Sequence, residues 1–227
     1  MTPLELHDRF RVDMSDTELP YLWSDDEVWS YADDAYSMFA RLTGGIPDAS
    51  TDITSLAITA GEARSPCSPL ILKVRDAYLD STKRRLLLRN VEDAPLIPVG
   101  DYGSISGAAD RESGDVRAMV IGEEEGSVRW VGVPTADDVA KLTVFRLPSK
   151  RINEDSSDSD LDEIHYRHHI HLLLWMKHLA YGKQDAETYD KGRAEEFRLA
   201  FGDYCARALA ETARQRHKNR VVAYGGI

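Results

Sequence analysis

Five of the seven histidines fall within fourteen consecutive positions, and imidazole is a side chain that can bind zinc or transfer a proton near neutral pH. They are His165, His168, His169, His171 and His178. On a helix, His168 and His171 lie three positions apart, a spacing at which two histidines can share one metal, and His178 follows two turns later; a third ligand and an open position would also be needed. Asp162 or Glu163 would then serve as the base. This spacing raises the hypothesis of a metal-dependent enzyme that uses the 165–178 cluster.

Helix packing explains the same histidines without chemistry. An apolar stripe at helical spacing runs through this stretch and consists of Leu161, Ile164, His168, Leu172, Trp175, Met176 and Leu179. His165, His169 and His171 flank that stripe or point away from it, as residues of a subunit contact do. No glutamate stands between two histidines as it does in the H-E-x-x-H metal motif. We therefore predict a packing or interface role for the histidines, with no catalytic residue, no metal site and no cofactor.

Other catalytic groups are equally hard to assemble. Cys67 lies in a Ser/Pro turn, and Cys205 lies on an apolar stripe, where a thiol is typically inert. The glycine-rich stretch 99–115 lacks the lysine and the following helix of a phosphate-binding loop. These patterns predict free thiols and a protein that is not an enzyme.

The overall charge limits the partners that the surface can bind. The chain has 28 basic and 39 acidic residues, which gives a net charge of −11. An acidic surface does not grip nucleic acid in general, but it suits a channel through which DNA slides, because it repels phosphate. No apolar run approaches the length that spans a bilayer, and the N-terminus lacks the features of a signal peptide. We expect no membrane contact and synthesis in the cytoplasm.

The elements that must position these residues follow from periodicity. Residues 1–20 are predicted to form an extended or loosely helical arm. Ser24 and Glu27 predict a capping box at the start of a first helix, which ends at Gly44. Asp160 to Tyr181 predicts a second helix, and a third is predicted from Asp185, as its cap, to about Ala213. Between the first and second helices, short runs that alternate or are rich in β-branched residues predict strands.

Together these elements predict an α+β fold. Its core is a helical bundle, made of the N-terminal helix and a long C-terminal helical hairpin, with an inserted small antiparallel β domain. The predicted segments are 1–48 for the arm and first helix, 49–150 for the β domain, 151–213 for the hairpin and 214–227 for a C-terminal tail.

Both ends of the chain carry motifs of one protein family. The third predicted helix opens with D-A-E-T-Y-D at 185–190 and continues with A-E-E-F at 194–197, after a helix rich in Leu and Trp. The first helix opens with L-W-S-D-D-E-V-W-S-Y at 22–31, and an I-T-x-x-x-I-T-A-G strand follows at 53–61. These motifs resemble bacteriophage head–tail adaptor proteins, also called head completion or connector proteins.

The resemblance implies a virion structural protein at the head–tail junction. Such proteins form a ring, here expected to hold twelve copies, which docks beneath the portal protein. The ring joins the portal to a tail nozzle or tube protein and lets the genomic DNA pass through its channel without specific binding. The expected partners are therefore the portal, the tail protein and further copies of this chain.

Two groups of residues are candidates for these contacts. The segment from Glu211 to the end contains four cations and one acid, which gives it a net charge of +3. The predicted portal-docking residues of the tail are Arg214, Arg216, Lys218, Arg220, Val221, Val222 and Tyr224. The predicted subunit-interface residues are His165, His169, His171, Arg193, Glu195 and Glu196.

Overall fold

The computed structural model describes residues 1–90, 113–185 and 187–216, with side chains of the last helix described up to Arg214. Within these residues the chain is α+β and divides into two compact units, Met1–Gly44 with Lys150–Ile227, and Gly45–Ser149. The helices are α1 (Pro3–Asp13), α2 (Asp25–Leu42), α3 (His169–Gly182) and α4 (Lys191–Arg216). The strands are β1 (Ile46–Asp48), β2 (Ser55–Ile58), β3 (Arg64–Pro66), β4 (Ile71–Leu79), β5 (Leu87–Asn90), β6 (Ala118–Ile121), β7 (Ser127–Val131) and β8 (Asp138–Arg146).

The start of α2 confirms the predicted capping box. The Ser24 side chain accepts a hydrogen bond from the Glu27 amide, and the Glu27 carboxylate accepts one from the Ser24 amide at 2.9 Å. Three acidic residues in the first turn also interact favourably with the positive end of the helix. The helix stops just before Gly44, which adopts a left-handed φ of +80° that disfavours other residues.

Residues 3–13 of the N-terminal arm form a regular helix, α1, where the sequence predicted only an extended or loosely helical segment. Thr2 and Glu5 form a second capping box at the start of α1, and Pro3 occupies its first position. Leu6 and Phe10 are both fully buried. The difference arose because the few apolar residues of the arm appear isolated in the sequence, whereas a single helical face brings Leu6 and Phe10 together.

Both helices of the C-terminal hairpin start later than predicted. Residues 160–165 form turns that precede a 3₁₀ turn at Tyr166–His168, and α3 begins only at His169. The predicted cap Asp185 does not start α4. Asp190 does so, because its Oδ1 accepts a hydrogen bond from the Arg193 amide at 3.0 Å. The polar elbow between the helices is therefore longer than the sequence indicated.

The helical unit has its own apolar core. Helix α3 packs against α2 and α4, and α1 contacts α2 and α3. The largest fully enclosed side chains of this unit are Leu6, Phe10, Tyr36, Leu161, His169, Leu172, Met176 and Phe201. No helix in the described parts of the chain is both long and apolar enough to cross a membrane.

A buried arginine connects the first two helices through hydrogen bonds. The Arg11 guanidinium on α1 bonds the Asp16 carboxylate, and it also donates to the Trp23 carbonyl and to Asp25 Oδ1, each at 2.6 Å. Asp16 accepts a hydrogen bond from the Leu22 amide at 2.8 Å. The hydrogen bond from Arg11 lowers the pKa of Asp25. The connection between α1 and α2 is thus organised around one cation.

The second unit contains two small sheets. In the first, β8 pairs antiparallel with β4 along one edge and with β1 and β2 along the other. The second has the order β3-β7-β6-β5. Its β5 runs parallel to β6, so the prediction of a small antiparallel β domain was wrong at this strand. The connection from β5 to β6 is long enough for a parallel crossover, and such pairing leaves no mark on local periodicity.

Residues 46–48 belong to the strand unit rather than to the helical segment in which the sequence analysis placed them. They form β1, which pairs with the end of β8. Arg146 of β8 donates through Nε to Asp48 Oδ2 at 2.6 Å, and both side chains are buried. Burial opposes ionisation of Asp48, but hydrogen bonds from Ser50, Thr51 and Arg146 outweigh it and lower the pKa of this carboxyl.

The two sheets share one core between their inner faces. Its buried members include Leu56, Val74, Leu142, Met119 and Trp130. The Trp130 indole donates to Ser65 Oγ at 2.9 Å, and that hydroxyl donates to the Ala57 carbonyl at 2.5 Å. This chain of hydrogen bonds satisfies the polar atom of the buried indole and links the two sheets.

Replacing Arg11 by Met is expected to lower the free energy of unfolding by about 3–5 kcal/mol, because Asp16 would remain buried without its cation. Urea unfolding monitored by circular dichroism measures this change. The matched control is Arg9→Met on the same helix. Arg9 is exposed, and among the described residues its acidic partner is Asp13, so that substitution should cost less than about 1 kcal/mol. Equal losses in the two variants would contradict the central role of Arg11.

Candidate functional site

The 3₁₀ turn and the first turns of α3 position most of the histidine cluster. His165 caps the 3₁₀ turn, and its Nδ1 accepts a hydrogen bond from the Arg167 amide at 3.3 Å. The side chain of His165 is exposed, as is that of Tyr166 beside it. Because the turn precedes α3, the five histidines do not follow one helical register. They point in different directions and acquire different partners.

His168 is held in one neutral form by its neighbours. Arg167 donates through Nε to His168 Nε2 at 3.2 Å, so this nitrogen must be an acceptor. The proton therefore lies on Nδ1, which donates to the Tyr204 hydroxyl at 2.8 Å. Burial, followed by the positive charge of Arg167, lowers the pKa of His168 to about 4. The ring also contacts Phe39, with 4.9 Å between ring centroids.

His169 is an internal residue, which corrects the prediction that it faces a subunit interface. Its side chain is completely buried. One ring nitrogen lies 3.0 Å from the Met1 carbonyl oxygen and the other lies 3.0 Å from the Ile164 carbonyl oxygen. The imidazole thus links the N-terminal residue to the turns that precede α3. Its position in the sequence does not reveal this, because α3 starts later than the apolar pattern indicates.

His171 and His178 are occupied by contacts with α4. The His171 ring stacks on Tyr204, with centroids 3.6 Å apart, and burial together with Arg207 lowers its pKa. His178 donates through Nδ1 to the Ala194 carbonyl at 2.9 Å. Its ring also packs against Trp175. Both residues therefore join α3 to α4.

The histidines do not converge on a common point, so the geometry for a shared metal is missing. The described residues contain no group of three or more His, Cys, Asp or Glu side chains that could hold a metal ion. Cys205 is buried, and that burial raises its thiol pKa to about 12, so it is not a nucleophile. Cys67 is half-buried, and burial raises its pKa as well.

Instead, the hairpin forms an open groove of about 280 Å³ lined by polar side chains. Its lining residues are Arg167, His171, Tyr204, Arg207, Ala208 and Glu211. Arg207 donates to the Asp203 carbonyl at 3.4 Å, and no carboxylate within the described residues pairs with it. Arg167 lies 3.9 Å from Glu211, which is a long and weak ion pair. The groove therefore presents two guanidinium groups, which are suited to binding carboxylates.

Tyr204 and Arg207 were not among the predicted site residues. In the sequence they are ordinary members of a long helix. Only the packing of α4 on α3 brings them beside Arg167 and His171, as the stacking of His171 on Tyr204 demonstrates. The one available signal was the spacing of Tyr204 and Arg207, which puts both on one face of a helix.

The predicted interface charges on α4 are exposed, and most of them pair within the chain. Arg198 donates to both carboxylate oxygens of Glu195, at 2.6 and 2.8 Å, and this lowers the pKa of Glu195. Arg193 donates to the Tyr181 hydroxyl at 3.0 Å and lies near Asp190. Glu196 is exposed. Such exposed pairs contribute little to stability, so they remain free to exchange partners.

The predicted docking tail begins inside α4. Arg214 is exposed in the last part of this helix, and Arg216 is its final residue. Lys218, Arg220, Val221, Val222 and Tyr224 lie outside the described residues.

The low pKa of His168 predicts a dependence of stability on pH. The unfolded chain binds a proton near pH 6.5, whereas folded His168 does so only near pH 4, so the folded state loses stability as pH falls between these values. The free energy of unfolding should drop by about 1–3 kcal/mol over this range. His168→Gln should flatten this slope in urea titrations. Tyr204→Phe keeps the His168 ring buried, so this variant should preserve most of the pH dependence. If His168→Gln leaves the pH dependence unchanged, His168 is not its source.

Nearly the whole chain matches one known protein family. The family model described as SU10 adaptor protein matches residues 1–224. No curated protein matches the chain. The family match extends through the helices, the strand unit and most of the tail, and so includes the segments whose motifs carried the resemblance to head–tail adaptors. The chain belongs to the SU10 adaptor protein family, a family of bacteriophage head–tail adaptors.

Proposed function

We propose that this chain is a virion structural protein that forms a ring, of twelve copies, beneath the portal protein at the head–tail junction. The ring joins the portal to a tail nozzle or tube protein and provides a channel for the genome. The observation that carries this proposal is the family match, which spans residues 1–224 rather than one short motif. The role is structural and not enzymatic, and the site geometry supports it because the histidines serve packing.

The groove on the helical hairpin supplies one half of a subunit contact in this proposal. A ring needs a heterologous interface, in which two different surfaces of the same chain meet. The groove offers two guanidinium groups, and the chain as a whole has a surplus of acids that gives a net charge of −11. We assign His165, His171 and Arg207 to this contact, with a carboxylate of the neighbouring copy in the groove. Arg193, Glu195 and Glu196 then lie on the adjoining surface of α4.

The C-terminal tail supplies the contact with the portal. Residues 214–227 contain four cations, followed by a short apolar sequence with Tyr224. A basic and then apolar tail can bind an acidic groove or add as a strand to a partner sheet. In this scheme the helical unit, residues 1–44 and 150–213, forms the body of the ring. The strand unit, residues 45–149, is an insertion into that body.

Electron microscopy tests the proposal directly. The purified protein is mixed with the portal protein encoded by the same genome, and the particles are imaged with and without the portal. Rings stacked coaxially on the portal are the expected result, and class averages would give the copy number. The absence of any complex with well-formed portals would overturn the proposal.

Deleting residues 214–227 should abolish binding to the portal and leave the protein folded, because the deleted segment lies beyond the last described contact of α4 with the core. Co-sedimentation with portal measures binding, and circular dichroism measures folding. A matched control, Arg9→Gln with Lys191→Gln, removes two exposed cations of the helical unit but leaves the tail intact, and it should retain portal binding. Normal docking of the truncated protein would exclude the tail as the portal contact.

A further inference from the structure

The outer face of the first sheet carries an unexpected row of cations. Along β4, Val74, Ala77 and Leu79 are buried, whereas Lys73, Arg75 and Tyr78 are exposed. A register shift between Val74 and Asp76 marks a β-bulge in which Arg75 is the extra residue, so Lys73 and Tyr78 lie on the same face although they are five positions apart. The bulge thus keeps the three exposed side chains on one face of the sheet.

Neighbouring strands extend this row. Tyr78 is the partner of Lys141 on β8 and also of Arg85 on the returning strand of the hairpin. Directly opposed residues on one face have Cβ atoms about 4.5–5.5 Å apart, so the tyrosine lies between two cations. The Lys141 ammonium donates to Ser55 Oγ at 2.8 Å, which fixes it on this outer face. We call Lys73, Arg75, Tyr78, Arg85 and Lys141 the basic face.

The positive charge is concentrated in this part of the chain. Residues 71–90 contain six cations and two acids, which is a net charge of +4, so the rest of the chain carries −15 to give the total of −11. Of the cations on the basic face, only Arg85 has an acidic partner among the described residues. It bonds Asp76 through Nε at 2.6 Å. Lys73 and Arg75 are exposed and have no acidic partner there.

The tip of the same hairpin is not part of the basic face. Lys83 bonds Asp80, and Arg84 lies 3.4 Å from Asp115 and also bonds the Val116 carbonyl. Asp137 and Asp138 line the cavity next to this tip. The charge at the tip is therefore balanced locally, and the unbalanced cations lie along β4.

We infer that the basic face contacts the phosphate backbone of double-stranded DNA without reading its sequence. Exposed Lys and Arg side chains bind phosphates, and a neighbouring tyrosine hydroxyl can donate a further hydrogen bond to them. Contacts with phosphate oxygens carry no direct sequence information. This inference rests on the proposed function, because DNA passing through the ring is the polyanion that every copy would meet.

The distribution of charge favours DNA as the partner. An acidic chain repels phosphate over most of its surface, so contact with DNA is confined to the one strand face that carries surplus cations. Repetition of this face around a ring would add several weak contacts from separate copies. The result would be a collar that holds DNA loosely and still lets it slide, since each contact is electrostatic and independent of sequence.

Binding of the full-length protein to a fluorescently labelled 30-base-pair duplex tests the inference. Fluorescence anisotropy is measured between 50 and 200 mM NaCl for the wild type, for Lys73→Gln with Arg75→Gln, and for the control Arg151→Gln with Lys191→Gln. The control removes two exposed cations from the helical unit. Circular dichroism verifies that all three proteins are folded.

The wild type should bind with an affinity that falls roughly 100-fold over this range of salt, as about four phosphate contacts predict. The Lys73/Arg75 variant should bind at least about tenfold more weakly at 50 mM NaCl, with a salt slope smaller by about two. The control should behave like the wild type. A scrambled duplex should bind equally well.

Equal affinities of the two variants, or no binding by the wild type at 50 mM NaCl, would overturn the inference. Loss of portal or tail binding in the Lys73/Arg75 variant, with DNA binding unchanged, would instead assign the face to an acidic protein and would also overturn it. Electron microscopy of the same samples mixed with portal tests the proposed function independently of DNA binding. Rings on the portal without DNA binding would overturn the inference but leave the adaptor role intact. DNA binding without rings on the portal would overturn the adaptor role.

Discussion

The buried guanidinium of Arg11 is the interaction on which the helical unit depends. It bonds Asp16, the Trp23 carbonyl and Asp25, so it holds the turn after α1 and the first residue of α2 in one arrangement. The Trp23 indole in turn donates to the Ala180 carbonyl of α3 at 3.2 Å. Removing such a cation from water is costly, and the cost is offset only because several acceptors surround it. Two of those acceptors are carboxylates, which gives the network its strength.

The histidine-rich stretch shows how packing can use side chains that suggest catalysis. Each buried imidazole satisfies polar groups that would otherwise lack partners. His169 bridges two carbonyl oxygens, and His168 connects Arg167 to Tyr204. Because neutral imidazole has one donor and one acceptor, His168 fits between the Arg167 guanidinium, which donates, and the Tyr204 hydroxyl, which accepts. Three of the histidines, His168, His171 and His178, contact α4 and so help to define how the histidine-rich stretch packs against it.

In the proposed function, the helical unit and the strand unit use positive charge for different contacts. The helical unit offers a groove with two arginines to a neighbouring copy, and the strand unit offers a row of cations to DNA. Arg207 in the groove and Lys73 and Arg75 on the basic face have no acidic partner among the described residues, although the chain has a net charge of −11. Acids elsewhere on the surface repel phosphate and so limit where a polyanion can bind.

The sequence by itself determined the α+β class, the capping box at Ser24 and Glu27, the extent of α2, and the family through its motifs. These features are local, since caps and helical periodicity involve residues within a turn or two of each other. The start of α3, the burial of His169, the parallel pairing of β5 and the partners of Arg11 were decided only by the tertiary structure. Each depends on residues far apart in the chain, such as Met1 with His169, and no local pattern encodes which distant group will satisfy a buried donor or acceptor. The basic face was decided in the same way, because Lys141 and Arg85 meet at Tyr78 only through strand register.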